Sequence, residues 1–211
     1  MQTGLNYKKH WDSVYESKED SQLGWFESYP ETTLKLIDVC QLRSDARILN
    51  VGAGTTTLID ALLDKGFTNI IANDLSTIAL QKLQDRILKK HKYHLKCIVD
   101  DLTNSKALFQ LKSVDLWIDR AVLHFFLSEI EQESYFKTLK SVISKNGFVL
   151  IAVFSLDGAK KCSGLYLQGY NVDMLQHHLG NDFKLITSIK QIHLTPSGDE
   201  RPYIYTLFQK K

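Results

Sequence analysis

The sequence predicts a doubly wound α/β fold with a mainly parallel sheet that ends in an antiparallel hairpin. Three observations predict it. Between residues 47 and 154, short apolar or β-branched runs alternate with stretches of helical apolar spacing, the rhythm of a parallel sheet. The run 148–154 is apolar throughout, as suits a central strand covered on both faces. Near the C-terminus two strand-like runs, 183–194 and 202–209, are joined by Thr195-Pro196-Ser197-Gly198-Asp199-Glu200. No helix fits between them, so they pair as a hairpin at the sheet edge.

In chain order, Tyr7, Trp11 and Tyr15 recur at i, i+4 and i+8 beside Val14, which predicts a helix over 7–16 with an aromatic stripe. Such a stripe serves either as packing or as a cover over a ligand. Residues 17–24 are polar and read as a flexible connection, and Pro30 suits the first turn of a helix reaching about Cys40. Strand 47–51 leads through Gly52-Ala53-Gly54-Thr55-Thr56-Thr57 into helix 56–65, stopped by Gly66, with the threonines available to cap the helix start. Strand 69–73 precedes helix 76–90, for which Ser76 is the N-cap. The lysines at 82, 89, 90, 92 and 96 read as a solvated face and its following turn. Strand 94–99 runs into Asp100-Asp101-Leu102, and strand 114–118 into Asp119-Arg120. Ser128-x-x-Glu131 is a capping box for a helix ending at Asn146-Gly147, and a last helix over 171–179 is closed by Gly180.

The composition sets limits. At 211 residues and 44% hydrophobic content the chain buries one substantial core. It divides into an N-terminal helical segment, 1–46, packed as a lid on one globular unit, 47–211. A formal net charge of +2, spread along the sequence, leaves no footprint for nucleic acid or an anionic membrane. Three cysteines without a C-x-x-C pattern argue for a reducing compartment and against a zinc site or disulfide frame. The longest apolar run is too short to span a bilayer, and residues 1–6 lack the marks of a leader, so the expectation is a cytoplasmic protein. Oligomeric state stays open.

The glycine turn is the first candidate site. Gly52 and Gly54 let backbone amides approach a ligand closely, at a helix start that favours an anionic group. A bare strand-to-helix turn has the same pattern. Thr57 occupies the third glycine position of G-x-G-x-x-G, and no Gly-Lys-Ser/Thr follows, so neither a dinucleotide fingerprint nor a Walker loop is present. In an open α/β sheet ligands lie beyond the carboxyl ends of the strands. Those ends carry Asn50 to Thr55, Asp74-Leu75, Asp101-Leu102 and Asp119-Arg120. Asp74, 22 residues after Gly52, is placed to accept from ribose hydroxyls, or else to form an Asx turn before Ser76. Asp101 is placed to accept from an adenine amino group. A nucleoside cofactor is implied.

Ile48 to Gly54, Asn73 to Ser76, Val99 to Leu102 and Asp115 to Ala121 fall in the order and spacing of class I S-adenosylmethionine-dependent methyltransferases, which the chain resembles over nearly its whole length. The closing hairpin is similar to that of their seven-stranded sheet. The His10-Trp11-Asp12 opening resembles small single-domain members of the thiopurine type and the lysine methyltransferases that begin with a similar Trp-Asp segment. The resemblance implies that S-adenosylmethionine is held by Asn50, Gly52, Ala53, Gly54 and Thr55 at its methionine end. It further implies Asp74 and Leu75 at the ribose, Asp101 and Leu102 at the adenine, and Asp119, Arg120, Trp11 and Trp25 alongside. The sequence departs from the pattern at Asn50, where an acid is usual, and at Thr56, where a third glycine is common.

Methyl transfer from a sulfonium relies mainly on positioning. If the acceptor must lose a proton, Asp119 and His124 are the candidate bases, with His124 alternatively a packed histidine. The sixteen-residue segment 155–170 follows the fifth strand and offers Cys162, Tyr166 and Tyr170 as acceptor contacts. The compact chain favours a small-molecule acceptor; a protein lysine, or a cofactor-binding sensor without turnover, are the alternatives.

Overall fold

The computed structural model describes residues 6–211; Met1–Leu5, on which part of the leader expectation rests, lie outside the described residues. A seven-stranded sheet has the order β3-β2-β1-β4-β5-β9-β8. Its strands are β1 (Arg47–Val51), β2 (Asn69–Asp74), β3 (Lys96–Val99), β4 (Val114–Arg120), β5 (Ile143–Phe154), β8 (Phe183–Leu194) and β9 (Glu200–Lys210). The first five run parallel, and β9 inserts antiparallel between β5 and β8. The sheet is thus the mainly parallel one expected, closed by the hairpin.

Strand alternation sorts the core into two layers. Ile48, Leu116, Ile118 and Leu150 face one cluster, which they share with α2 (Glu31–Val39), α3 (Leu58–Asp64) and α4 (Thr77–His91). Leu49, Trp117, Val149 and Ile151 face the other, shared with α5 (Glu129–Val142) and α6 (Val172–Leu179). Helices therefore cover both faces, as βαβ connections require. A third, smaller cluster joins α1 (Tyr7–Ser17) and the segment after it to the start of α4, through Tyr15, Leu23 and Ala79.

Local signals explain the helix ends. Ser76 Oγ accepts from the Ala79 amide at 3.1 Å, and Ser128 with Glu131 forms the expected capping box. Gly66, at φ 87°, ends α3 in the left-handed conformation that glycine adopts without penalty.

Several elements differ from expectation. Helix α5 stops at Val142, and β5 begins at once with Ile143, which pairs with Val114 before the register shifts. Ile143 is buried, so the chain gains more by entering the sheet than by continuing the helix to Asn146. Residues 155–170 are not a bare loop: β6 (Lys161–Cys162) and β7 (Leu165–Tyr166) form a small hairpin. Ser163 and Gly164, at φ 49° and 79°, supply the two left-handed residues that a tight turn of this kind demands. The connection 17–24 contains a 3-10 turn, Asp20–Gln22, and buries Leu23. Of the threonines, Thr56 accepts from the Leu58 amide, whereas Thr57 donates to the Glu27 carbonyl and gives α3 no side-chain cap. Lys82 is no free surface lysine, since it donates to the Tyr15 carbonyl at the end of α1.

Candidate active site

The Gly52–Gly54 turn is shaped by its neighbours as much as by its own backbone. Both glycines have positive φ, 53° and 51°. A Cβ at Gly52 would lie 2.0 Å from Val122 Cγ2, and one at Gly54 would lie 2.2 Å from the Tyr15 hydroxyl. Helix α1 thus reaches down onto the turn. Its seat is built by Asp12, whose carboxylate accepts from Ser76 Oγ at 2.7 Å and from the Ile78 amide at 3.4 Å at the start of α4.

Asp74 serves as more than a ligand candidate. One carboxylate oxygen accepts from the Gly54 amide at 2.8 Å and the other from the Ser76 amide at 2.8 Å, so the Asx turn forms and β2 is tied to the glycine turn. Burial pushes the Asp74 carboxyl up to about 6, against the backbone amides that hold it down. Asp74 also borders a cavity of about 330 Å³ at the C-terminal edge of the sheet.

That cavity collects Gly52, Asp74, Leu75, Asp101 and Leu102 with Trp11, Tyr15 and Trp25 from the N-terminal segment. Trp11 packs edge-on against Trp25 at 5.7 Å and Phe125 at 5.0 Å between ring centres. The two neighbouring aspartates divide their work. Both border the cavity, but Asp100 accepts from Ser105 and from the Lys106 and Leu108 amides of its loop, whereas among the described residues the Asp101 carboxylate accepts from Thr103 alone.

Other expected site residues lie elsewhere. Asn50, Ala53 and Thr55 line a smaller adjoining pocket with Gly52, Trp25, Glu27 and Arg120. Asn50 is 3% exposed, donates to the Ile118 and Val51 carbonyls, and its Oδ1 has no partner among the described residues. Gly54 sits beneath the Tyr15 hydroxyl. Tyr166 is half exposed beside Lys161, and Tyr170 is fully buried in the layer of α5 and α6; neither borders the cavity, while Cys162 does.

The two candidate bases are corrected. Asp119 is fully buried, and its oxygens accept from the Val122 and Leu123 amides and the Tyr135 hydroxyl, so it holds the turn after β4 and has no route to an acceptor. Burial pushes its carboxyl up to about 7. His124 borders the cavity but stacks on Phe154 at 4.6 Å, and its Nδ1 accepts from the Phe154 amide. That bond places the ring proton on Nε2. Burial, aided by the Arg120 charge, pulls His124 down to about 3, which leaves a neutral ring that takes up no proton near neutrality.

Arg120 also has a role the sequence did not show. It donates to the Trp25 carbonyl at 2.7 Å and to the Tyr205 hydroxyl at 3.1 Å, and pairs with Glu27 at 3.0 Å. Sequence reasoning missed the far wall of the cavity: Lys18, Lys161, Arg201 and Tyr203. The turn-rich 195–200 stretch pointed to a hairpin, but only the strand order brings Tyr203 of β9 opposite Phe154 of β5.

The residues present fit an adenosyl cofactor. An acidic edge carries Asp74 and Asp101, a glycine sits where backbone must be bare, and aromatic rings border the space where a sulfonium would need them. Residues 48–147 match a known methyltransferase domain family. Human EEF1A lysine methyltransferase 2 is 28% identical over 162 residues, 71% of this chain and 68% of the relative. The zebrafish (Danio rerio) protein of the same name is 24% identical over 160 residues, 70% of this chain and 68% of that protein. A methyltransferase from Anabaena variabilis shares the fold at TM-score 0.75 and 13% identity, covering 98% of this chain and 96% of its own. The N-methyltransferase NodS of Bradyrhizobium japonicum, crystallised with S-adenosyl-L-homocysteine, does so at 0.69 and 11%, covering 95% and 98%. The chain thus carries a match to a methyltransferase domain family over residues 48–147, on a fold it shares with S-adenosylmethionine-dependent methyltransferases, and these similarities support a methyltransferase that uses S-adenosylmethionine.

Proposed function

We propose that this enzyme methylates a small molecule enclosed, together with the cofactor, beneath the N-terminal segment. One observation carries the reading: the segment is fastened over the cavity at three places far apart in sequence. Asp12 holds Ser76 at 2.7 Å, the Trp25 carbonyl accepts from Arg120 at 2.7 Å, and the Gly24 carbonyl lies 3.0 Å from His193 Nε2. A roofed chamber suits a compact acceptor, whereas an extended peptide needs an open groove.

In this reading the Gly52 backbone holds the methionine part of the cofactor, Asp74 the ribose, and Asp101 with the Leu102 amide the adenine. Trp11 and Trp25 offer ring faces to positive charge. The cofactor supplies a methyl group on a sulfonium sulfur, already activated for in-line displacement by an acceptor lone pair. The protein's share is to orient, to exclude water and to hold the acceptor still. With Asp119 sealed and His124 neutral, neither expected base serves, so the acceptor brings a lone pair that is free at neutral pH.

A second reading, methylation of a protein lysine, is supported by the two EEF1A lysine methyltransferase relatives. Labelled-methyl transfer in a cell extract, separated by size, distinguishes the two. Label in the low-molecular-weight fraction, absent with Asp74→Ala, is the expected result; label confined to protein would overturn it.

A further inference from the structure

We infer that the acceptor carries a carboxylate or an equivalent anionic group, received at the far wall of the cavity by Lys18 and Arg201. The inference rests on the reading of the cavity as an acceptor chamber and adds the charge of its occupant.

The charges of the chamber are separated by topology. Asp74 and Asp101 follow β2 and β3, on one side of β1 in the sheet, and give that end of the cavity its acidity. On the other side, β5 leads to the hairpin that carries Lys161, and Arg201 is the second residue of β9, after Glu200; Lys18 follows the end of α1. The strand order of the sheet therefore fixes an acidic end for the nucleoside and a basic end for whatever it reacts with.

The basic end is under-compensated. Asp199 is the carboxylate bordering this end, and it meets Arg201 at 3.5 Å, the limit of a hydrogen bond, while also accepting from Ser197. Among the described residues no carboxylate pairs with Lys18 or Lys161; Lys161 instead sits 4.1 Å above the Tyr166 ring. Both the Arg201 and the Lys18 charge act on the thiol of Cys162, whose raised pKa is set first by burial. Cys162, Lys18 and Arg201 border the same cavity. The hairpin that presents it is ordered, with the Leu167 amide bonded to the Lys160 carbonyl at 3.0 Å and the Gln168 amide to the His124 carbonyl at 2.8 Å. Arg201, partly withdrawn from water, and the exposed Lys18 beside it on the cavity wall have little countercharge, which favours an anion and disfavours an incoming ammonium.

The carboxylate of the cofactor is the competing anion for the same cations, and the test separates the two. Protein saturated with S-adenosylhomocysteine is titrated by calorimetry with 3-phenylpropanoate, its amide 3-phenylpropanamide, and a short lysine-bearing peptide. The carboxylate is expected to bind at least about tenfold more tightly than the amide, the size of one charge-assisted hydrogen bond. Arg201→Gln and Lys18→Gln should each remove about that factor for the carboxylate and leave the amide unchanged, while Arg201→Lys keeps most of the preference. Affinity for S-adenosylhomocysteine should stay within about twofold in all three variants, which also shows that they fold. Equal binding of carboxylate and amide, no binding of either, or tighter binding of the peptide would overturn the inference. A loss of S-adenosylhomocysteine affinity in the glutamine variants would overturn it too, by assigning the cations to the cofactor. Intact cofactor binding with no carboxylate preference sinks this inference alone, whereas label confined to protein in the extract sinks the small-molecule reading beneath it.

Discussion

Arg120, the last residue of β4, holds Glu27 of the N-terminal segment at 3.0 Å between Nε and Oε2, and both side chains are mostly buried. Burial pushes the Glu27 carboxyl up, and the Arg120 charge opposes that shift. The pair joins the roof of the chamber to the sheet. Replacing Glu27 by Gln keeps the shape and leaves the guanidinium without its counterion, which is expected to cost on the order of 2 kcal/mol. Urea unfolding at pH 7 measures the loss. Limited proteolysis should show faster cutting between residues 17 and 30; an unchanged midpoint and digestion pattern would mean that the pair does not fasten the roof.

Gly52 combines a positive φ with a neighbour in the way. Gly52→Ala adds backbone strain of about 1–2 kcal/mol to an overpacking cost of about 1–3 kcal/mol against Val122. Adding Val122→Ala should recover the packing part only. Thermal unfolding of the single and double variants tests this, and full recovery in the double variant would refute a conformational role for the glycine.

The Asn50 amide donates to the Ile118 and Val51 carbonyls, while its oxygen is unpartnered. Asn50→Asp therefore sets a buried carboxylate against two carbonyl oxygens, and the cofactor-free protein should lose about 2 kcal/mol. The added charge lies beside the glycine turn, where a methionine ammonium would bind. The rise in melting temperature on adding S-adenosylmethionine should thus be larger than in the wild type. A smaller rise would show that the acid usual at this position has no part in holding the methionine end in this protein.

Asp74, with its carboxyl pushed up to about 6 by burial, gives the site a pH dependence. Ribose hydroxyls need the ionised form as acceptor, so protonation competes with the cofactor. Affinity for S-adenosylhomocysteine should fall as the pH is lowered from 7.5 through 6 to 5, and Asp74→Asn should bind weakly with no such slope. Calorimetry at the three pH values checks the direction. A wild-type affinity that is flat over this range would remove Asp74 from the ribose.

Much of the fold was legible because it depends on local chemistry. The Ser76 cap, the Ser128–Glu131 box, the Gly66 and Gly180 stops and the apolar strand 148–154 are written within a few residues of where they act. The exceptions have physical reasons. The α5 boundary moved because burial of Ile143 in the sheet outweighed helix continuation. The acceptor-side residues Tyr166 and Tyr170 were misplaced because alternation in a two-residue strand, and the packing of α6, decide which ring faces the cavity. Asp119 and Asp74 look alike as strand-end carboxylates, yet one is enclosed by Tyr135 and two amides while the other borders the chamber.

By itself the sequence determined the alternating sheet, its closing hairpin and the carboxylates at the strand ends, because periodicity and spacing are properties of neighbouring residues. Only the tertiary structure decided which of these face the cavity. The insertion of β9 between β5 and β8 brought Arg201 and Tyr203 to it, and the fastening of the N-terminal segment, through Asp12 of α1 and through the Trp25 carbonyl held by Arg120, brought Lys18, Trp11 and Tyr15 over it. The cavity wall thus gathers residues as far apart in sequence as Trp11 and Tyr203, and no local pattern encodes that.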